Sequence, residues 1–347
     1  MRISIAMATY NGAKYIREQL DSLTKQTRLP FELVVCDDGS TDDTLSIVHE
    51  YAKSAPFPVR VHQNEKNLGF ADNFLHAASL CEGEWIGFCD QDDVWLPHKL
   101  ATVARAIEAN VTEQLMLVAH SAYLVGHNLK PTGRRLPDFR KTRTVGRNKH
   151  YGFWVITGFA CVFRCELVRG FDWTHRPRNY FPGHHWQSHD KWVCMLANAL
   201  GDTLHISEPL ANYRRHDAAE TGAYDKSSVK QRIEKSQLVG AGHYQFLSNV
   251  ARQSAEILDK QSVATKNRIW QSQLKEGADK FRGLARVCEL RADVYRSKNT
   301  MQRLWRIGYL FAKEGYIGNK FFSFGLMSFL KDFHYCLFNK ADERAAT

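Results

Sequence analysis

Several features that would assign a chain at once are missing here. Neither GxGxxG nor GxxxxGK[ST] occurs in the 347 residues, so an ordinary dinucleotide-binding or NTP-hydrolysing fold is disfavoured. Cysteines stand at 36, 81, 89, 161, 165, 194, 288 and 336, yet no pair has CxxC spacing. Most lie in apolar stretches, which predicts reduced thiols and neither a disulfide framework nor a zinc site. No window offers about 20 consecutive apolar residues, so no membrane span is expected. The opening Met1-Arg2-Ile3-Ser4-Ile5 reads as a strand and not as a signal peptide. Proline is absent between Lys226 and Lys298, which leaves helices unbroken there.

What is present divides in two. Hydrophobic residues make up 44% and aromatics 12% of the chain, enough for a sizeable core. The net charge of +10 is unevenly placed. Residues 226–347 carry 22 Lys and Arg against 11 Asp and Glu, whereas residues 1–225 carry 25 against 26. A neutral front and a basic tail predict two regions with two jobs, 1–225 and 226–347.

In the front region, apolar runs alternate with segments of helical period. Strands are expected at 3–8, 31–36, 59–63, 85–89 and 115–120, with helices over 15–26, 43–53, 70–80 and 97–109. This order predicts an α/β fold whose central sheet is mostly parallel and flanked by helices. Polar residues recur just after the strands: Thr9 and Asn11, Asp37 and Asp38, Asn67, then Asp90, Asp92 and Asp93. In a parallel sheet those loops share one edge, where ligands bind. Three carboxylates within four residues repel one another unless a cation neutralises them. An acidic turn capping the next helix is the plainer reading.

Further along, residues 127–150 read as a basic loop, a solvated surface or a flap over an anionic acceptor. Asp190 heads an apolar helix (192–199). It either caps that helix or serves as a general base. His184, His185 and His189 match no common zinc spacing. Residues 205–213 form a strand-like run that leads into Arg214, Arg215 and His216, cations suited to a phosphate-holding site.

Over roughly 1–220 these stretches resemble the inverting family 2 glycosyltransferases of the GT-A fold. The resemblance rests on Ile5 to Asn11, on Val34 to Thr44, on Asn64 to Asn73 and on Asp90-Gln91-Asp92, similar to a DxD metal motif. It implies that Thr9, Tyr10, Asn11, Asp38, Asn67, Gln91 and Arg214 bind the nucleotide-sugar. Asp90 would lie near ribose and metal, and Asp92 would ligate Mg²⁺ or Mn²⁺, with His216 a late metal or phosphate contact. Asp190 occupies the position of the catalytic base. The family usually has Glu-Asp there, and this chain has His189-Asp190. Trp95, Gly158 and His189 are weaker acceptor-side candidates. The nucleotide-sugar half would span about 1–110 and the acceptor half about 111–225. Asp-Gln-Asp-Asp followed by Val94-Trp95 resembles the rhamnosyltransferase-like subset of bacterial O-antigen and capsule synthesis. This implies a hexosyltransferase using dTDP-L-rhamnose or a UDP-sugar, and a lipid-linked glycan acceptor. A non-catalytic sugar-nucleotide scaffold and a nucleotidyltransferase are the alternatives.

The tail predicts two long helices, 237–258 and 267–296. Beyond them, residues 301–338 interleave aromatics with Arg303, Arg306, Lys313, Lys320 and Lys331. That composition suits a bilayer interface carrying anionic lipid or, more plainly, internal packing. A cytoplasmic protein peripheral at the inner membrane is expected, and nucleic acid is not expected as a partner.

Overall fold

The computed structural model describes residues 1–110, 114–179, 186–216, 240–318 and 320–338. By its contacts the chain forms two units. Unit 1 comprises Met1–Arg147, Trp154–Thr174 and Ser188–Tyr224, and unit 2 comprises Asn148–Phe153, His175–Gln187 and Asp225–Thr347.

Unit 1 opens as β1 (Ile3–Thr9), α1 (Ile16–Thr24), β2 (Glu32–Asp37), α2 (Thr44–Ala52), β3 (Val59–Gln63), α3 (Phe70–Leu80) and β4 (Trp85–Cys89). Every residue of β1, β2 and β4 is buried. That is the burial of strands covered on both faces, and it explains their unbroken apolar runs. The order is β3-β2-β1-β4, all parallel.

There follow β5 (Val94–Trp95), α4 (Lys99–Ala109), β6 (Leu115–Val125), β7 (Pro131–Arg135), β8 (Arg143–Val145), a 3₁₀ turn (Gly158–Ala160) and β9 (Cys161–Arg164). Next are α5 (Glu166–Arg169), α6 (His189–Leu200) and β10 (Asp202–Arg214). The sheet continues β4-β9-β6-β10-β5, ten strands among the described residues, with β7 on β6 and β8 on β10. In this half the pairing is mixed. β9 is antiparallel to both β4 and β6, whereas β10 runs parallel to β6. The strands β1, β2, β4, β6 and β10 therefore all end at one edge of the sheet.

Two expectations need correction. The basic stretch 127–150 is not simply a loop: it holds β7 and β8, both of them strands on the long β6 and β10. The expected strand at 115–120 runs on to Val125. Its extra turn-free length is stabilised by the β7 hairpin.

Unit 2 contains α7 (Ala241–Ala264), α8 (Arg268–Arg296), α9 (Thr300–Ala312) and α10 (Leu326–Phe338). Asn267 caps α8, its side chain accepting from the backbone N–H groups of Ile269 and Trp270, and Asn299 caps α9 in the same way. Two short segments from the first 225 residues are part of this unit. The Gly152 N–H donates to the Phe321 carbonyl at 2.7 Å, and the Arg178 N–H donates to Gln253 at 3.3 Å. Among the described residues no helix is long and apolar enough to cross a membrane.

Candidate active site at the carboxyl edge of the sheet

All the described candidate residues lie in unit 1, around the strand ends. Thr9 at the end of β1 is buried, and its hydroxyl donates to Asp37 at 2.8 Å. The Asp37 carboxylate also accepts the backbone N–H groups of Gly39 and Ser40. Asn11 sits at φ 46°, with its side-chain oxygen accepting the Thr41 N–H at 2.8 Å. The exposed Tyr10 and the turns after β1 and β2 are thereby tied into one rim.

Asp38 is buried, and its carboxylate accepts Asn64 Nδ2 at 2.9 Å and the backbone N–H groups of Leu68 and Gly69 at 2.7 and 2.8 Å. Asn67 donates to the Asp38 carbonyl at 2.9 Å. Here the expected nucleotide contacts organise the 64–69 loop. Gly69 takes φ 81° to present its N–H.

After β4 the acidic loop is held from two sides. Gln91 clasps the Tyr10 backbone: its amide oxygen accepts the Tyr10 N–H and its NH₂ donates to the Tyr10 carbonyl, both at 3.0 Å. A Cβ on Gly12 would collide with that amide. On the other side, β5 pairs antiparallel with β10, placing Trp95 opposite Ala211 and Val94 opposite Asn212. This pairing draws Asp92 and Asp93 to the end of β10. Asp92 Oδ2 meets His216 Nε2 at 2.7 Å, and the His216 ring lies 4.7 Å from the Tyr15 ring.

Arg214 is committed to the protein, contrary to its expected contact with donor phosphate. Its Nε donates to the Asp92 carbonyl at 2.7 Å and its NH1 to the His127 carbonyl at 2.9 Å. Its NH2 pairs with Glu18, and the guanidinium stacks over Tyr15 at 4.5 Å. The Arg214 backbone N–H donates to Asp93 at 2.9 Å. This gives Asp93 a structural partner. Burial and the charges of Asp92 and Asp90 hold its carboxyl well above the usual carboxylate range.

Asp90 is partly buried, and its carboxyl is pushed up to about 8, first by desolvation and then by Asp92 and Asp190. Beneath it lies Lys99, fully buried, with Nζ donating to the Phe159 carbonyl at 2.8 Å and 3.3 Å over the Trp95 ring. Burial lowers its ammonium to about 7. The Phe159 backbone N–H points to Asp90, so the backbone of one residue links the acid to the lysine. Lys99 escaped the sequence reading, although a signal existed: it sits on the apolar face of α4 with Val103 and Ile107.

Asp190 stands in the first turn of α6, where its Oδ1 accepts the Ser188 hydroxyl and, at 2.7 Å, the Lys191 N–H. His189 beside it is buried. Its ring stacks on Phe74 at 4.1 Å and meets Phe88 edge-on at 4.6 Å. Gly158 lies directly against it, since a Cβ there would fall on His189 Nε2. His189 and Gly158 therefore seat α6 and offer no face to an acceptor. Trp95 is 2% exposed and equally cannot touch an acceptor from its site under Lys99. His184 and His185 lie outside the described residues. Among the described residues no cluster of three or more His, Cys, Asp or Glu is preformed for a metal. The Asp92–His216 pair is a two-ligand arrangement of carboxylate and imidazole, suited to Mn²⁺ or Mg²⁺ only if further oxygens arrive with a ligand.

Comparison with known proteins agrees with this geometry. Residues 4–171 match the family model Glycosyl transferase family 2. An uncharacterized glycosyltransferase of Nostoc sp. is 34% identical over 131 residues, 38% of this chain and 39% of that protein. Chondroitin synthase of Escherichia coli is 41% identical over 95 residues, 27% of this chain and 14% of that one. The chain thus aligns with well under two thirds of the length of these relatives. S. aureus TarS 1-349 in complex with UDP has a TM-score of 0.52 at 22% identity, covering 89% of this chain and 92% of its own. That likeness concerns the fold. The acids at the sheet edge and the match over 4–171 agree, and this stretch of the chain is similar to the family 2 glycosyltransferases.

Proposed function

We propose that the chain is an inverting glycosyltransferase that moves a sugar from a nucleotide-diphosphate donor to a glycan acceptor in bacterial surface-polysaccharide synthesis. The observation that carries this reading is the convergence of Asp92 with His216, next to Asp90 and in reach of the field of Asp190. The rim of Thr9, Tyr10, Asn11, Asp38 and Asn67 would receive base and ribose, with Thr9 and Asn67 acting through Asp37 and Asp38.

Asp92 and His216 would hold a divalent cation, which when bound neutralises charge developing on the diphosphate leaving group. Asp90 adds negative charge beside it. Gln91 keeps the acidic loop against Tyr10, and Arg214 keeps Asp92 against His216. Asp190 takes the proton of the acceptor hydroxyl. Its Oδ1 is fixed by Ser188 and Lys191, and Oδ2 has no hydrogen-bond partner among the described residues. One base and no second nucleophile suit a single displacement with inversion at the anomeric carbon.

UDP-sugars are the first donors to try, because TarS is described with UDP. dTDP-L-rhamnose is the second, on the Asp90-Gln91-Asp92-Asp93 resemblance. The acceptor would be lipid-linked, which places the enzyme at the inner face of the cytoplasmic membrane.

The test is release of nucleoside diphosphate from a donor panel with Mn²⁺, and the anomeric configuration of the product by NMR. Asp190→Asn should lower kcat by roughly 10²-fold or more while leaving donor binding intact. Asp92→Ala should lose Mn²⁺-dependent donor binding. Wild-type turnover in Asp190→Asn removes the base assignment, and a retained anomeric configuration removes the single displacement.

A further inference from the structure

Among the described residues of unit 2, α9 and α10 leave apolar faces uncovered. At 100° per residue, the face of α9 opposite its buried Arg303, Ile307 and Leu310 is Met301, Trp305, Gly308, Tyr309 and Ala312, with no charge on it. Trp305 is 69% exposed and stacks on Tyr309 at 5.6 Å. On α10, Leu326, Leu330, Phe333 and Leu337 make one stripe, all of them exposed, about a third of a turn from the buried Asp332 and Cys336. The two helices meet where Phe311 contacts Phe329 at 5.7 Å, and Phe329 in turn stacks on Phe333 at 5.8 Å.

A core network holds this arrangement. Asp332 is fully buried and takes Arg291 through both oxygens, at 2.7 and 3.1 Å. The hydroxyls of Tyr295 and Tyr316 donate to the same carboxylate at 2.5 and 2.7 Å. With its polar side fixed inward, α10 must turn its leucines and phenylalanine outward. An apolar exposed stripe so fixed marks an interaction surface.

Charge decides which partner fits. Between 298 and 338 there are six Lys and Arg against Glu314 and Asp332, and Asp332 is consumed by Arg291. Lys298, Lys313 and Lys320 are exposed. A second copy of the chain meeting this face by two-fold symmetry would set the same cations against each other. An anionic bilayer offers the opposite charge to the cations and an acyl boundary to the apolar stripes, with Trp305 and Tyr309 at headgroup depth.

We infer that the outer face of α9 and α10, carrying Met301, Trp305, Tyr309, Leu326, Leu330 and Phe333, docks on an anionic lipid bilayer. The purpose of this docking rests on the lipid-linked acceptor proposed above. Vesicle binding needs no sugar transfer, so the two readings fail separately.

The test is flotation of the full chain with vesicles of phosphatidylcholine alone or with about 30% phosphatidylglycerol. Wild type should float with the anionic vesicles, less with the neutral ones, and less again in high salt. Trp305→Ser/Leu330→Ser/Phe333→Ser should cut the bound fraction roughly tenfold or more. Lys313→Glu/Lys320→Glu should weaken anionic binding alone, and it serves as the second variant should the triple substitution lower helicity. Absence of wild-type flotation, or equal flotation of both variants, overturns the inference. So does a dimer that the triple variant abolishes without any lipid binding.

Discussion

At Gly158 a single added carbon would be felt most directly. Gly158→Ala drives a Cβ into the His189 ring, which is itself wedged between Phe74 and Phe88 and cannot retreat. The expected cost is about 1–3 kcal/mol by urea denaturation. Transfer should fall further than stability, because α6 carries Asp190. Unchanged activity would show that α6 absorbs the shift. Asp90 makes a second prediction at this scale. Burial and the charges of Asp92 and Asp190 push its carboxyl up to about 8, so it is largely protonated at neutral pH. A bound cation favours the ionised form, so Mn²⁺ binding should release a proton below pH 8 and weaken as pH falls. Calorimetry in buffers of different ionisation enthalpy measures this, and no buffer dependence at pH 7 counts against it. Arg214 shows the limit of reading residue types: an arginine beside a presumed diphosphate site looks like a phosphate ligand, yet here its Nε, NH1 and NH2 each bond a protein atom.

At the scale of elements, two very different segments decide the architecture. β5 has only two residues, yet its pairing with β10 brings Asp92 and Asp93 to Arg214 and His216, more than 120 positions away in the chain. No periodicity marks a two-residue strand, so local pattern does not show this meeting, and only the family resemblance implied that Asp92 and His216 share a site. The other is α10, pinned by Asp332. Asp332→Ala leaves Arg291 as a buried, uncompensated charge and should cost about 3–5 kcal/mol. Arg291→Met/Asp332→Leu should recover much of that loss. Hydrogen exchange would register the single variant as faster opening of α10 than of α6. Equal protection of α10 in both proteins would show that the network is not what holds it.

For the molecule as a whole, the chain passes between the two units more than once, because 148–153 and 175–187 belong with the helices of unit 2. A protein truncated after residue 225 therefore exposes segments whose packing partners, such as Phe321 and Gln253, are gone. It should be less soluble and melt lower than the full chain, by thermal denaturation. A truncation that melts as high as the full chain would show that the 1–225 region is self-sufficient.

The sequence alone determined the alternation of strand and helix over 1–110, since buried strands need unbroken apolar runs and surface helices need a 3.6-residue stripe. It also marked the acids as a group, because like charges gathered after a strand are costly without a purpose. Tertiary structure alone decided which polar groups remain available. Gln91, Arg214 and Asp38 bond partners distant in the chain, whereas Asp190 Oδ2 has no hydrogen-bond partner among the described residues. Hydrogen bonds between groups 26 to 196 positions apart follow from strand order and register, and no local pattern encodes those.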